Sequence, residues 1–167
     1  MSETNARRSE DLERIRAALL RAADAVRPFT PGSIDWSSKA ERGDPVTEAD
    51  LAIDAALREM LPREREGWLS EETVDDHSRL DARRVWIVDP VDGTREFIEG
   101  IPEWCVSVGL VEDGVPVAGG ILNPATQELV LGAAGHGVTL NGTPVTHADP
   151  PVPLAEARVL ASRSEVR

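Results

Sequence analysis

Cysteine is almost absent from this sequence of 167 residues, which contains a single one, Cys105. One cysteine cannot form an internal disulfide, and its place in an alternating apolar stretch indicates a buried, unreactive thiol. Long apolar runs are also lacking. The first residues contain no continuous hydrophobic stretch of the signal-peptide kind, and no later run is long enough to span a bilayer. The sequence therefore predicts a cytoplasmic protein with no membrane partner.

Basic residues are scarce relative to acidic ones. The chain has 18 Lys and Arg against 30 Asp and Glu, a formal net charge of -12. Such a surface repels nucleic-acid phosphates, and no basic patch offsets this, so no nucleic-acid polymer is expected as a partner. The three histidines are scattered and show no zinc-ligand spacing with Cys105. The glycines of "GAAGHG" lack the Lys-Ser/Thr of a phosphate-binding P-loop.

Two amphipathic helices are predicted in the first part of the chain. Between Ser9 and Val26 apolar residues recur at helical spacing, and the basic residues Arg7, Arg8 and Arg14 are expected to face water. The second helix follows Thr47, a good N-cap, and ends before Pro62. The stretch between them, rich in Pro, Gly and Ser, predicts a long loop or a loose hairpin.

The rest of the chain is rich in predicted strands. "VWIVD" is a compact apolar run of the kind expected of a strand covered on both faces. Alternating segments follow it, with turn signals at residues 112–114 and at Asn141-Gly142. Helices followed by such a meander predict an α+β fold, in which two N-terminal helices pack on a largely antiparallel sheet.

The last residues differ from the meander. Val159 to Ala161 reads as the beginning of a further strand, with no helix after it to cover it. We therefore expect residues 1–153 to form a metal-binding domain and residues 154–167 to begin a second, truncated α/β domain. Apolar surface left open by such a truncation favours self-association, so a homodimer is a possible assembly.

Carboxylates gather at three places where apolar segments end. In "VDPVDGT" Asp89 and Asp92 follow an apolar strand, with Pro90 stiffening the backbone and Gly93 allowing a close approach of a ligand. Hard divalent cations such as Mg²⁺ prefer such oxygen ligands. The alternative is a capped turn, because Asp-Pro and Asp-Gly are turn dipeptides. The whole motif after a buried strand favours the metal site.

The other two groups of carboxylates are less specific by themselves. Asp50 stands at N3 spacing from Thr47, which a helix cap explains without any further role. Glu71 and Glu72 follow the apolar "WL" of "WLSEET" as if they ended a strand, but paired glutamates are usually surface charges.

Together, "GDPVTEAD", "WLSEET" and "WIVDPVDGTREF" resemble, in order and spacing, the inositol monophosphatase-like family of Mg²⁺-dependent, lithium-sensitive phosphatases. The resemblance extends over nearly the whole chain and implies the N-terminal half of the sugar-phosphatase α/β sandwich. Within that family, Arg95-Glu96-Phe97 is more typical of the branch that acts on 3′-phosphoadenosine 5′-phosphate than of inositol phosphatases.

The resemblance also implies roles for individual residues. Glu71 and Asp89 would bind a first magnesium ion and Asp92 a second, of two or three in all, with the Val91 carbonyl as a further ligand. Thr94, hydrogen-bonded near Asp50, would orient and deprotonate a water, and this gives Asp50 a catalytic role beside its cap. The backbone amides of Gly93 and Thr94 would hold the phosphate. Glu71, Val91 and Asp92 would thereby also face the substrate, and inhibition by Li⁺ is expected.

One departure from the family pattern limits this interpretation. Members have a later "WDxAA"-like segment that completes the second metal site, and this sequence contains none. The favoured prediction is a Mg²⁺-dependent phosphomonoesterase acting on a small phosphorylated metabolite, 3′-phosphoadenosine 5′-phosphate or an inositol monophosphate, with weak metal binding and little turnover by this chain alone. The alternative is a noncatalytic remnant or a metal-dependent phosphate-binding module.

Overall fold

The computed structural model describes residues 3–38, 45–146 and 153–157. Three α-helices lie in this part of the chain: α1 (Glu3–Val26), α2 (Glu48–Met60) and α3 (Thr94–Ile98). The strands, in chain order, are β1 (Trp36–Ser38), β2 (Pro45–Thr47), β3 (Glu66–Ser70), β4 (Arg84–Asp92), β5 (Cys105–Glu112), β6 (Val115–Asn123), β7 (Glu128–Ala133), β8 (Gly137–Leu140) and β9 (Thr143–Val145). Short 3₁₀ helices span Ser78–Asp81 and Leu154–Glu156.

The seven strands β3 to β9 form one sheet in chain order. β3 pairs with β4 in parallel, and every other neighbouring pair is antiparallel. Helices α1 and α2 pack on each other and on the sheet, α1 mainly over β6 and α2 over β4. The predicted α+β class, with two N-terminal helices on a largely antiparallel sheet, is therefore confirmed.

Helix α1 is longer than its apolar periodicity predicts, because it begins at Glu3 and not near Ser9. Ion pairs of two arginines that were expected to face water hold the helix against the rest of the fold. Arg8 is 8% exposed and binds Asp11 and Glu112 at 3.0 and 2.8 Å. Arg14 binds Glu66 at 2.6 Å. The expectation that Arg8 and Arg14 face water is thus wrong, since sequence spacing does not show acidic partners that lie far away along the chain.

The prediction that "VWIVD" forms a strand is correct, but the prediction that both faces of this strand are covered is wrong. Trp86 and Val88 are buried in the core beneath the helices, whereas Ile87, on the opposite face, is 42% exposed. The helices cover one face of this sheet, as is usual for antiparallel sheets, and side chains alternate between the two faces. On the open face Ile87 lies in register with Gly109, which faces Gly119 on the next strand.

The turn predictions are confirmed. Asp113-Gly114 connects β5 to β6 with φ values of 51° and 79°, and Asn141-Gly142 connects β8 to β9 with values of 49° and 78°. Two successive left-handed residues are what a tight hairpin requires. The loose hairpin between the helices is also present, because β1 and β2 pair in antiparallel register, although residues 39–44 at its tip lie outside the described part.

Two further observations concern the chain as a whole. Within the described ranges, no helix combines the length and apolar character that a bilayer crossing needs. The predicted strand at Val159 to Ala161 lies outside the described residues, as does most of the predicted second domain. The division at residue 153 therefore stays a prediction.

Candidate functional site

Two of the predicted metal ligands directly follow the last residues at which β3 and β4 pair with each other. Ser70, the last residue of β3, pairs with Val88 of β4 in parallel register. Glu71 follows Ser70 and Asp89 follows Val88, so the two predicted ligands leave the paired stretch on neighbouring strands. Sites at the carboxyl ends of parallel strands are common because the loops that follow can converge there.

Strand β4 departs from regular pairing at this point. The register with β5 shifts between Asp89 and Asp92, so that Asp92 comes to lie opposite Cys105. Pro90 and Val91 are buried inside this irregular stretch, whereas Asp89 is half-buried and Asp92 is exposed. Bulges of this kind re-aim side chains at the end of a strand.

Gly93 makes the turn that joins β4 to α3. Its φ is +100°, and a Cβ there would lie 2.9 Å from the carbonyl oxygen of Glu103 and 3.1 Å from the Cα of Trp104. A side chain would therefore be strained both by its backbone conformation and by its surroundings. Helix α3 begins immediately after it, at Thr94.

The hydroxyl of Thr94 connects this turn to α2. Thr94 Oγ1 donates to the carbonyl oxygen of Val91 at 2.9 Å and lies 3.2 Å from Asp50 Oδ1, a second acceptor within reach of the same proton. The contact that the resemblance implies between Thr94 and Asp50 is thus present. The carbonyl of Val91 retains a second lone pair for a metal ion.

Asp50 is 1% exposed and is also a capping residue. Its carboxylate accepts from the backbone N–H of Thr47 at 2.9 Å and from the Thr47 hydroxyl at 2.5 Å, which completes a capping box. The cap and the contact with Thr94 use different oxygens of the carboxylate. The two interpretations of Asp50 are therefore compatible.

Asp54, one turn further along α2, is a residue that the sequence analysis missed. The hydroxyl of Ser70 donates to Asp54 Oδ1, and the hydroxyl of Thr73 donates to Asp54 Oδ2 at 3.0 Å. These two hydroxyls flank Glu71 and Glu72. The i, i+4 spacing of Asp50 and Asp54, which puts both on one helix face, is the sequence signal that could have revealed it.

The pKa of Cys105 reports the negative electrostatic potential around Asp89 and Asp92. Burial, followed by the negative charges of Asp92 and then Asp89, raises the pKa of the Cys105 thiol to about 11. Its sulfur lies 4.0 Å from Asp92 Oδ2. The thiol is half-buried, whereas the sequence predicted a buried one, and its raised pKa keeps it neutral at physiological pH. Both aspartates therefore contribute negative electrostatic potential at Cys105. A negative potential attracts cations.

The oxygen atoms of the predicted ligands are of the type that magnesium prefers. Carboxylates and a backbone carbonyl are hard oxygen ligands, and Mg²⁺ usually keeps several waters and substrate oxygens beside a few of them. Among the residues that the structure describes, no three His, Cys, Asp or Glu side chains already form a cluster that could hold a metal ion. The carboxylates of Glu71, Asp89 and Asp92 do not form such a cluster, and their roles as metal ligands stay predictions.

The arrangement of helices and sheet matches that of known phosphatase structures. An inositol monophosphatase from Zymomonas mobilis has a TM-score of 0.70 and 35% identity, with 86% of this chain and 55% of that one covered. An IMPase/NADP phosphatase solved with Mg²⁺ and phosphate has a TM-score of 0.69 over 81% of this chain and 52% of that one. Its identity is 22%, so this likeness concerns the fold.

Sequence comparison assigns the family. Residues 8–167 match the model of the inositol monophosphatase family, and the chain belongs to this family. A histidinol-phosphatase of Mycobacterium tuberculosis is 43% identical over 95 residues, which are 56% of this chain and 36% of that protein. The chain therefore spans from about a third to about half of the length of the relatives described here.

Proposed function

We propose that this chain carries the metal-binding part of a Mg²⁺-dependent phosphomonoesterase that acts on a small phosphorylated metabolite. The observation that supports it most directly is the parallel pairing of Ser70 with Val88, the residues that precede Glu71 and Asp89, in a chain of this family. The Thr94–Asp50 contact supports it independently, because it lies at the turn that follows Asp92.

Each of the predicted site residues has a part in the proposed reaction. Glu71 and Asp89 would hold one ion and Asp92 another, with the Val91 carbonyl as a further ligand. Bound Mg²⁺ would supply positive charge that acidifies a water and offsets the charge of the phosphate and the leaving oxygen. Thr94 Oγ1 would orient the attacking water and pass its proton towards Asp50. The Gly93 and Thr94 amides would hold a phosphate oxygen.

The substrate class follows from charge and from the relatives. A phosphate ester approaching a chain of net charge -12 needs cations to neutralise it, so binding should depend on metal. The relatives are named for histidinol phosphate and inositol phosphate, both phosphate esters of small alcohols. The segment Arg95-Glu96-Phe97 supports a third candidate, 3′-phosphoadenosine 5′-phosphate.

Calorimetry with Mg²⁺, followed by phosphate release from the three candidate substrates, tests this proposal. We expect weak but saturable Mg²⁺ binding that Glu71→Gln and Asp89→Asn each weaken further, and slow phosphate release from at least one substrate that requires Mg²⁺. Glu59→Gln, an exposed carboxylate on α2, is the matched control for loss of one negative charge. Absence of Mg²⁺ binding by the parent chain overturns the proposal.

A second candidate function is a metal-dependent phosphate-binding module without turnover. The absence of a ready three-residue metal cluster among the described side chains favours it, because an incomplete ligand set holds metal weakly. In that case Mg²⁺ and inorganic phosphate bind together in calorimetry, whereas none of the three substrates releases phosphate above the rate without protein.

A further inference from the structure

Asp54 occupies a bridging position beside the predicted ligand Glu71. One oxygen of its carboxylate accepts from Ser70, the last residue of β3, and the other accepts from Thr73, 3.0 Å away. Glu71 and Glu72 are the two residues between these anchors. A single carboxylate therefore fixes both ends of the short segment that carries the predicted metal ligand.

The bridge extends to the backbone of that segment. The Ser70 hydroxyl donates to Asp54 and at the same time accepts from the backbone N–H of Glu72 at 3.2 Å. A hydroxyl that donates to a charged acceptor becomes a better acceptor itself, because the two hydrogen bonds polarise each other. Asp54 thus acts on the position of Glu72, and through it on Glu71, by way of Ser70.

Helix α2 gives Asp54 a fixed distance from the other half of the site. Asp50 contacts Thr94, on the turn after Asp92, and Asp54 contacts the end of β3. Residues four apart on an α-helix lie on one face, about 6 Å apart along the axis. One rigid element therefore holds the two segments that must supply ligands to the same ions.

We propose that Asp54 is a positioning residue that sets the place of Glu71 relative to Asp89 and Asp92, and that Ser70 and Thr73 transmit its effect. This inference rests on the proposed function, since it assumes that Glu71 binds metal. Partners that orient metal ligands without touching the ion typically change metal affinity by about 10- to 100-fold when they are removed.

Mg²⁺ affinity measured by calorimetry on folded protein tests the inference. We expect Asp54→Ala to weaken Mg²⁺ binding about 10- to 100-fold. Asp54→Asn, which keeps one carbonyl oxygen as an acceptor, should restore part of that loss. Thr73→Val, which removes one donor with little change in shape, should weaken binding less than Asp54→Ala. The double variant Asp54→Ala/Thr73→Val should bind no more weakly than Asp54→Ala, because both changes break the same bridge.

Three controls separate positioning from other effects. Glu59→Gln on the same helix removes one charge away from the bridge and should leave the affinity within about twofold, which tests simple electrostatics. Thermal unfolding without metal identifies variants that lose affinity because they are partly unfolded, and Thr73→Val keeps the test valid if Asp54→Ala does not fold. Glu71→Gln reports whether the metal site itself exists.

The outcomes distinguish this inference from the proposed function. If Glu71→Gln weakens Mg²⁺ binding and the Asp54 and Thr73 variants do not, the proposed function stands and the role of Asp54 is overturned. If Glu71→Gln has no effect, or the parent chain binds no Mg²⁺, both fail. Additive losses in the double variant contradict a shared bridge and also overturn the inference.

Discussion

Asp11 on α1 and Arg84 at the start of β4 form an ion pair in which both side chains are more than 90% buried. The carboxylate of Asp11 also accepts from Arg8, and the guanidinium of Arg84 also binds Glu66 at 2.9 Å. A buried ionised side chain is tolerated in the fold only while its oppositely charged partners remain, because water does not reach it to take their place.

Replacing Asp11 should therefore destabilise the fold strongly. We expect Asp11→Asn to lower the free energy of unfolding by about 1.5–3 kcal/mol, because it removes the negative charge from hydrogen bonds to two buried guanidinium groups. Arg8 and Arg84 keep Glu112 and Glu66 as partners, which limits the loss. Asp113→Asn is the matched control, since Asp113 pairs with Arg83 on the surface, where both side chains are more than half exposed. That change should cost much less, because solvent-exposed ion pairs contribute little to stability. Equal losses in urea unfolding would contradict the prediction.

Glu66 should make the stability depend on acid pH. Burial alone would raise its pKa, but hydrogen bonds from Arg14 and Trp86 outweigh burial and lower the pKa from 4.5 to about 2. The Glu66 carboxylate therefore binds a proton more readily in the unfolded chain than in the folded chain. The contribution of the Glu66 carboxylate is therefore fully present above about pH 4.5 and is lost as the pH falls towards 2.

Urea unfolding between pH 3.5 and pH 7 measures this contribution. The parent should lose about 1 kcal/mol of this contribution between pH 7 and pH 3.5, because pH 3.5 lies one unit below the unfolded pKa of 4.5 and one pH unit corresponds to at most about 1.4 kcal/mol. Glu66→Gln should be less stable at neutral pH and should show a shallower dependence on pH. An unchanged slope in Glu66→Gln would show that other carboxyl groups cause the acid loss.

Gly93 should tolerate a side chain less well than another left-handed glycine does. Gly93→Ala has to accommodate both its φ of +100° and a backbone oxygen 2.9 Å from the new Cβ, whereas Gly114, with φ +79°, has no atom within 4 Å. Both variants bear the cost of the left-handed backbone. The additional loss in Gly93→Ala should be about 1–3 kcal/mol, and chemical denaturation of the two variants measures it. Identical losses would exclude the close contact.

Cys105 should react slowly with alkylating agents. Burial and the charges of Asp92 and Asp89 raise the pKa of its thiol to about 11, so the thiolate is rare below that pH. Iodoacetamide at pH 8, followed by mass spectrometry, should modify the folded protein at least about tenfold more slowly than the urea-unfolded protein. Asp92→Asn removes one of the two charges and should accelerate the reaction of the folded protein. Equal rates in folded and unfolded protein would contradict the prediction.

Local signals were sufficient to predict most elements of this fold. Thr47 is a good N-cap with an acidic residue three positions later, and α2 begins there. Asn141-Gly142 permits two successive left-handed residues, and a hairpin turns there. Such patterns are set within a few residues, so the chain itself displays them.

Features that depend on distant partners were not predicted. The sequence around Ile87 does not show whether a second layer covers the strand, and the open face was missed. Arg8 and Arg14 pair with Glu112 and Glu66, which lie far away along the chain, so their burial was missed too. At the candidate site, the motif around Asp89 and Asp92 is local and was recognised, whereas the bridge from Asp54 to Ser70 requires knowing how α2 lies against β3.

The two carboxylates on α2 constrain which changes of length the chain can accept. An inserted or deleted residue between Asp50 and Asp54 would turn one of them by about 100° relative to the other and remove it from its partner. The segment from residue 74 to residue 83 has no such restriction, since extra residues there leave the contacts of Asp50 and Asp54 in place. Natural variation in length should therefore accumulate after Thr73 and be excluded from the middle of α2.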